Sequence, residues 1–474
     1  MADFTILLEF QQDFGDGLPD NETGTMVKLE ENYRSCENIL QAANHLIENN
    51  TQRIDKILRA TRGAGEEIYF HKADDELAEA EFVINQIRNL EHQHPELNWG
   101  SFAILYRTNA QSRPFEELLV RSNIPYTVVG GIKFYDRKEI KDVLAYLRAI
   151  ANPADTVSLL RVINTPRRGI GKATVDTLVK AAQELGTTLW EILSDETSVN
   201  TLAGRSAKSV NGFANLIAEW QEKLETVPVS QVVQGVLEGS GYIQDLMSQG
   251  TDEAEDRVQN VQELFNAVLQ FEEESDEVTL QAFLASTALS SDLDNLKEGE
   301  TAVSLLTLHA SKGLEFPVVF LVGLEQGLFP NYRSLNDPAA LEEERRLCYV
   351  GITRAQERLY LSHARERRLY GSREPALRSQ FLDELPAELM TSQRTSQRAY
   401  IQRTSANLQQ NAARSKKGST ENWKVGDQIL HKTFGIGEIT HIFGSDNKIS
   451  LAIKFANLGQ KIIDPKVAQL QRVD

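Results

Sequence analysis

Between residues 60 and 130 the chain alternates short apolar runs with longer stretches of helical period. Apolar strands are expected at 68–71 (IYFH), at 102–106 (FAILY) and at 126–129. Helices are expected between them, at 74–90 and 114–122, from apolar positions recurring three and four apart. The pattern resumes after residue 302, with strands at 303–308 and 317–322 and a helix from Glu342 that feeds a strand at 359–361. Apolar runs without alternation mark strands covered on both faces, as in a parallel α/β sheet. Between 131 and 297 strand signals disappear. Seven helical segments (138–150, 157–162, 174–185, 209–224, 230–239, 255–273 and 280–288) predict a mostly α-helical insertion. After residue 390 comes a polar stretch, then short runs punctuated by Gly426, Gly435, Gly437, Gly444 and Gly459, which predict a small β-barrel over 421–474.

Composition is that of a globular protein, 41% hydrophobic and 25% charged over 474 residues. No apolar run reaches the length of a membrane span, and the first residues lack the phases of a secretory leader, so the cytoplasm is expected and no membrane partner. Cys36 and Cys348 have no metal-ligand spacing, and no metal site is expected. The net charge of −18 sits in the body of the chain, because residues 391–420 carry six Lys or Arg and no acid. So acidic a body repels nucleic acid at long range, and any such binding needs a locally basic groove. The 391–420 stretch reads as a basic, flexible linker.

Several polar groups fall at element junctions. Tyr33 and Arg34 follow an expected strand at 27–29 and precede a helix at 37–47, which places them at a strand's carboxyl end, where parallel sheets bind ligands. They suit a base and a phosphate, and equally a tyrosine packed under a loop beside a solvated arginine. Arg107, Thr108 and Asn109 end the FAILY strand. The loop HASKGLE, from His309 to Glu315, joins two core strands, and its histidine alone more often serves structure than ligand. In the helical region NTPRRGIGKAT carries Arg167, Arg168, Gly169, Gly171 and Lys172. It lacks the first glycine of a phosphate-binding loop, and reads either as a backbone-contacting hairpin or as a plain turn. EEERRLCYVGITRAQERLYL spaces Arg346, Val350 and Arg354 four apart; alone it fits a salt-bridged helix better than a phosphate-contacting arginine.

In order and spacing, LEENYRS, LYRTNAQSR, FYDRKEIKDVLAYLR, TPRRGIG, VSLLTLHASKGLEFPVVFLVGLEQGLFP and EEERRLCYVGITRAQERLYL resemble the carboxyl half of the UvrD/PcrA family of superfamily 1 DNA helicases. The terminal segment resembles that family's Tudor-like, SH3-like barrel. The resemblance implies a second RecA-like lobe (26–130 and 298–390) carrying the helical insertion 131–297, with residues 1–25 as the tail of a first lobe. It implies ATP-driven 3′ to 5′ movement on single-stranded and junction DNA. Tyr33 is then expected to stack on adenine, Arg34 and Arg354 to act catalytically at the γ-phosphate, and Gly313 and Glu315 to lie at the nucleotide. His309, Arg107 and Asn109 face the strand, while Arg167, Arg168, Gly169 and Gly171 face the duplex. No GxxxxGK[ST] occurs in the 474 residues. ATP and Mg²⁺ are therefore expected only with a complementary first-lobe chain, and this chain alone is expected to be inactive. Alternatives are a non-catalytic adaptor for DNA or for RNA polymerase, the latter through 421–474, and a gene fragment.

Overall fold

A computed structural model describes residues 13–16, 18, 29–53, 56–291, 301–369, 371–392, 424, 427–431, 435–443, 450–455, 459–463 and 470–472. Residues 1–396 form one compact unit and 397–474 a second.

The first unit is built on seven parallel strands: β1 (Ile68–Ala73), β2 (Phe102–Tyr106), β3 (Tyr126–Val128), β4 (Val303–Thr307), β5 (Phe316–Leu321), β6 (Ala355–Ala364) and β7 (Met390–Ser392). Their order is β7-β1-β6-β5-β2-β4-β3. Every residue of β2 is buried, because the sheet is covered on both faces. On one face the Glu37–Ile47 and Pro338–Ile352 helices pack Ile39, Leu46, Cys348 and Ile352 against Leu105, Leu306 and Leu321. On the other, Glu76–Gln93 and Ser112–Arg121 pack Val83, Ile87, Phe115 and Leu119 against Ile104, Val318 and Phe320. This is the α/β, RecA-like class expected from the sequence.

The strand before Tyr33 and Arg34 is not part of the main sheet: among the described residues, Glu31–Asn32 pairs with Arg59–Ala60, outside the seven strands. Leu29 forms no strand, and residues 27 and 28 lie outside the described residues. The Ser35 hydroxyl donates to the Ala355 carbonyl at 2.6 Å and the Cys36 amide to the Gln356 carbonyl at 3.0 Å. Tyr33 and Arg34 therefore follow the short Glu31–Asn32 strand, outside the main sheet, and are tied to the amino end of β6. One side-chain and one backbone hydrogen bond thus anchor Ser35 and Cys36 to the start of β6.

The helices from Lys138–Ala151 to Leu280–Ser291 share a hydrophobic core of their own, including Leu147, Val210, Phe213, Ile217, Val233 and Leu264. Polar side chains join it to the sheet. Arg113 donates to Glu263 at 2.6 Å and Gln270 at 3.0 Å, and Arg137 bridges the Asn109 carbonyl and Asn260. Leu189–Ser194, Glu196–Leu202 and Tyr242–Ser248 were not expected from the sequence. The edge strand Met390–Ser392 runs into the stretch read as linker, so Thr391 and Ser392 belong to the sheet. Residues 393–420, the rest of that stretch, lie outside the described residues.

In the second unit, Gly459–Ile463, Ser450–Phe455, Gly435–Phe443, Gln428–His431 and Leu470–Arg472 form a five-stranded antiparallel sheet in that order. Ile429, Ile439, Leu451 and Ile453 are buried, and a bulge interrupts the register between Ile439 and His441.

Candidate functional site

The amino edge of the sheet gathers the five residues expected at the nucleotide, Tyr33, Arg34, Gly313, Glu315 and Arg354. Asn32 begins it: its side-chain oxygen accepts from the backbone amides of Arg34 and Ser35, both at 2.9 Å, forming a turn that turns Arg34 toward the start of β6. The Arg34 Nε donates to the Glu315 carboxylate and its Nη1 to the Thr353 carbonyl at 3.3 Å. Arg62 closes the turn from behind, donating to the Arg34 carbonyl at 2.7 Å while paired with Glu357.

Arg354 occupies the link between the Pro338–Ile352 helix and β6, only 9% exposed. Its Nε donates to the Val350 carbonyl at 3.0 Å, its Nη1 to the Leu314 carbonyl at 2.9 Å and its Nη2 to the Thr353 hydroxyl at 3.3 Å. Neutral oxygens thus fix the guanidinium without a carboxylate neutralising it, and three of its N–H donors are used out of the five a guanidinium carries. Burial lowers its pKa, the nearby Arg34 charge lowers it further and Glu315 opposes both. It stays charged, as arginine does in proteins. Glu315 is 46% exposed on its side chain, also accepts from Gln356 at 2.9 Å, and is held below the usual carboxylate range chiefly by the Arg34 hydrogen bond. Gly313, at φ +92°, has nothing within 4 Å of where a Cβ would stand, which leaves the loop open beside this cluster. Tyr33 is 71% exposed and donates its hydroxyl to Glu31, which raises the phenol's pKa.

Sequence reasoning missed Asn32, Thr353 and Gln356, the residues that hold these groups in place. An asparagine two residues before Arg34 was a readable turn signal. Nothing in the local sequence announces the part played by Gln356.

The carboxyl edge carries the strand-facing candidates. Arg107 leaves β2 and forks onto Glu344, with Nε 3.0 Å from both carboxylate oxygens and Nη2 2.7 Å from one. Asn109 opens a helical turn whose carbonyl accepts from Arg137. His309 is exposed beyond the end of β4; the surrounding protein and then the Arg107 charge lower its pKa, while Glu344 opposes them. Because β4 and β5 are parallel, the loop from His309 to Glu315 crosses from the carboxyl edge to the amino edge. One short segment therefore ends at both clusters.

In the helical region, the Asn164 side-chain oxygen accepts from the Arg168 amide at 2.8 Å and the Ile170 amide at 3.2 Å, shaping the hairpin. Arg168 folds inward, donating to the Val162, Pro166 and Ser240 carbonyls and the Tyr146 hydroxyl, with its guanidinium over the Phe213 ring. Arg167 and Lys172 are exposed, as are Gly169, at φ +78°, and Gly171.

Two guanidiniums on one edge fit a polyphosphate. They do not fit a metal, and among the described residues no group of three or more His, Cys, Asp or Glu could hold one. No helix among them is long and apolar enough to cross a membrane.

Comparison with known proteins places the chain in a family. The chain is 38% identical to ATP-dependent DNA helicase PcrA of Staphylococcus aureus, over 99% of its own length and 64% of that protein. It is 37% identical to the Bacillus subtilis protein of the same name, over 96% of its length and 62% of the relative. With DNA helicase II of Haemophilus influenzae it shares 40% identity over 94% of its length and 61% of the relative. The chain thus spans less than two thirds of each. The PcrA/UvrD tudor domain matches residues 425–469. With the UvrD-like helicase C-terminal domain matching residues 27–366, which take in both edge clusters and the helical insertion, the chain belongs to that helicase family.

Proposed function

We propose that this chain supplies the second-lobe half of a composite ATP site, together with a strand-facing edge, in an ATP-dependent 3′ to 5′ DNA helicase. The observation that carries this reading is the amino-edge cluster, in which Thr353 touches both Arg34 and Arg354 while Glu315 orients Arg34. The complementary half, with a phosphate-binding loop and the acids that hold Mg²⁺, comes from a first lobe on this polypeptide or another.

Within such a site Arg354 stabilises the charge that develops on the transferred phosphoryl group, because it is fixed beforehand by neutral oxygens. Arg34 binds and orients the same group. Tyr33, exposed beside them, stacks on the adenine, and Glu315 lies toward the ribose. At the opposite edge, His309, Asn109 and Arg107 meet the single strand. The loop between His309 and Glu315 gives nucleotide state a short path to the strand. Exposed Arg167 and Lys172 reach duplex phosphates, while Gly169 and Gly171 let a backbone approach. Arg168 shapes that hairpin from within. The tudor-like unit is the docking module of this reading, with RNA polymerase as its partner.

The test mixes the protein with a P-loop lobe from a relative, ATP and duplexes carrying a 3′ or a 5′ single-stranded tail. The reading predicts hydrolysis stimulated by single-stranded DNA, and displacement that requires the 3′ tail. Absence of hydrolysis from the complete two-lobe assembly would refute it.

A further inference from the structure

Arg107 stands at the carboxyl end of β2, and a carboxylate holds it. Its fork on Glu344 uses the planar, two-donor geometry with which a guanidinium grips a phosphate. Glu344 is in turn fixed: its side chain is only 7% exposed, and it accepts from the Asn331 amide at 2.9 Å. It projects from the Pro338–Ile352 helix, whose far end leads into Arg354. Arg107, at 19%, keeps a path to solvent. His309 shares this place, since its proton affinity responds to both Arg107 and Glu344.

We infer that Glu344 competes with strand phosphates for the Arg107 fork, so that Glu344 sets how tightly the carboxyl edge grips single-stranded DNA. This rests on the strand-facing reading of Arg107. The competition follows from charge and geometry. While the fork is closed, Arg107 is neutralised and releases no counterion when DNA arrives. A phosphate that takes the fork leaves Glu344 its Asn331 amide, so the displaced carboxylate keeps one donor.

The experiment measures anisotropy of an end-labelled oligothymidylate at several salt concentrations, with the protein and its Glu344→Gln, Glu344→Asp and Arg107→Ala variants, each first checked by thermal melting. Glu344→Gln is expected to tighten binding roughly fivefold at 0.1 M salt, about one unmasked charge interaction. It also steepens the slope of log K against log salt by about 0.7. Glu344→Asp shifts both in the same direction by less. Arg107→Ala removes the gain in the Glu344→Gln background, and costs less affinity in the original protein than in that background. Equal affinity and slope in Glu344→Gln and the original protein, both binding DNA, would overturn the competition. If neither the protein nor any variant binds, the strand-facing reading itself falls.

Discussion

Removing the Arg367 guanidinium is expected to cost about 3–5 kcal/mol of unfolding free energy, the usual consequence of stranding a buried charge. Arg367 follows β6 and lies between two carboxylates that are almost wholly enclosed, Glu79 at 1% and Glu325 at 3% side-chain exposure. Its Nη2 is 2.7 Å from Glu79 and 2.6 Å from Glu325, and its Nε is 2.7 Å from Glu325. Glu79 also accepts from the Gly323 amide and the Ser362 hydroxyl, and Glu325 from the Ala364 amide. In Arg367→Met these neutral donors remain, but two buried anions face each other with no cation between them. Urea unfolding followed by circular dichroism at pH 7 measures the deficit, and a loss under about 1 kcal/mol would refute the reasoning.

Other outcomes follow from the same structure. Glu315 should titrate below the usual carboxylate range, and Arg34→Ala should move it upward, as read by carbon NMR of the carboxyl group. Its stabilising share is present above the unfolded pKa and disappears as pH falls through the lowered one. Tyr33→Ala should raise KM for ATP roughly twofold to tenfold while Tyr33→Phe leaves it unchanged, because the ring and not its hydroxyl makes the stack; equal effects would contradict this. Gly235→Ala should lower the melting temperature although alanine is the better helix former, since the new Cβ would lie 1.7 Å from the Trp220 ring. A raised melting temperature would show that Trp220 swings away freely.

The parallel sheet was legible because strands covered on both faces leave unbroken apolar runs, as in FAILY and FPVVFL. The Leu189–Ser194 helix and the Met390–Ser392 edge strand left no such trace, the strand because MTS offers a single apolar residue. The edge of the main sheet to which Tyr33 and Arg34 belong is not legible in local sequence. It is decided by bonds across more than 300 residues, from Ser35 to Ala355 and from Cys36 to Gln356. Arg168 likewise reads as an exposed basic residue in TPRRGIG yet lies over Phe213, because the ring comes from another helix. Family resemblance proposed roles for Arg34, Glu315 and Arg354. What the structure adds is how Thr353, Asn32 and Gln356 hold them.

If Arg354 acts as a preorganised arginine finger, the DNA-stimulated kcat and the nucleotide Kd of Arg354→Ala in the two-lobe assembly separate its roles. The expected result is a fall in kcat of about 10³–10⁵, with nucleotide affinity changed far less. A kcat within about tenfold of the original, with only the affinity reduced, would contradict it and make Arg354 a binding residue alone.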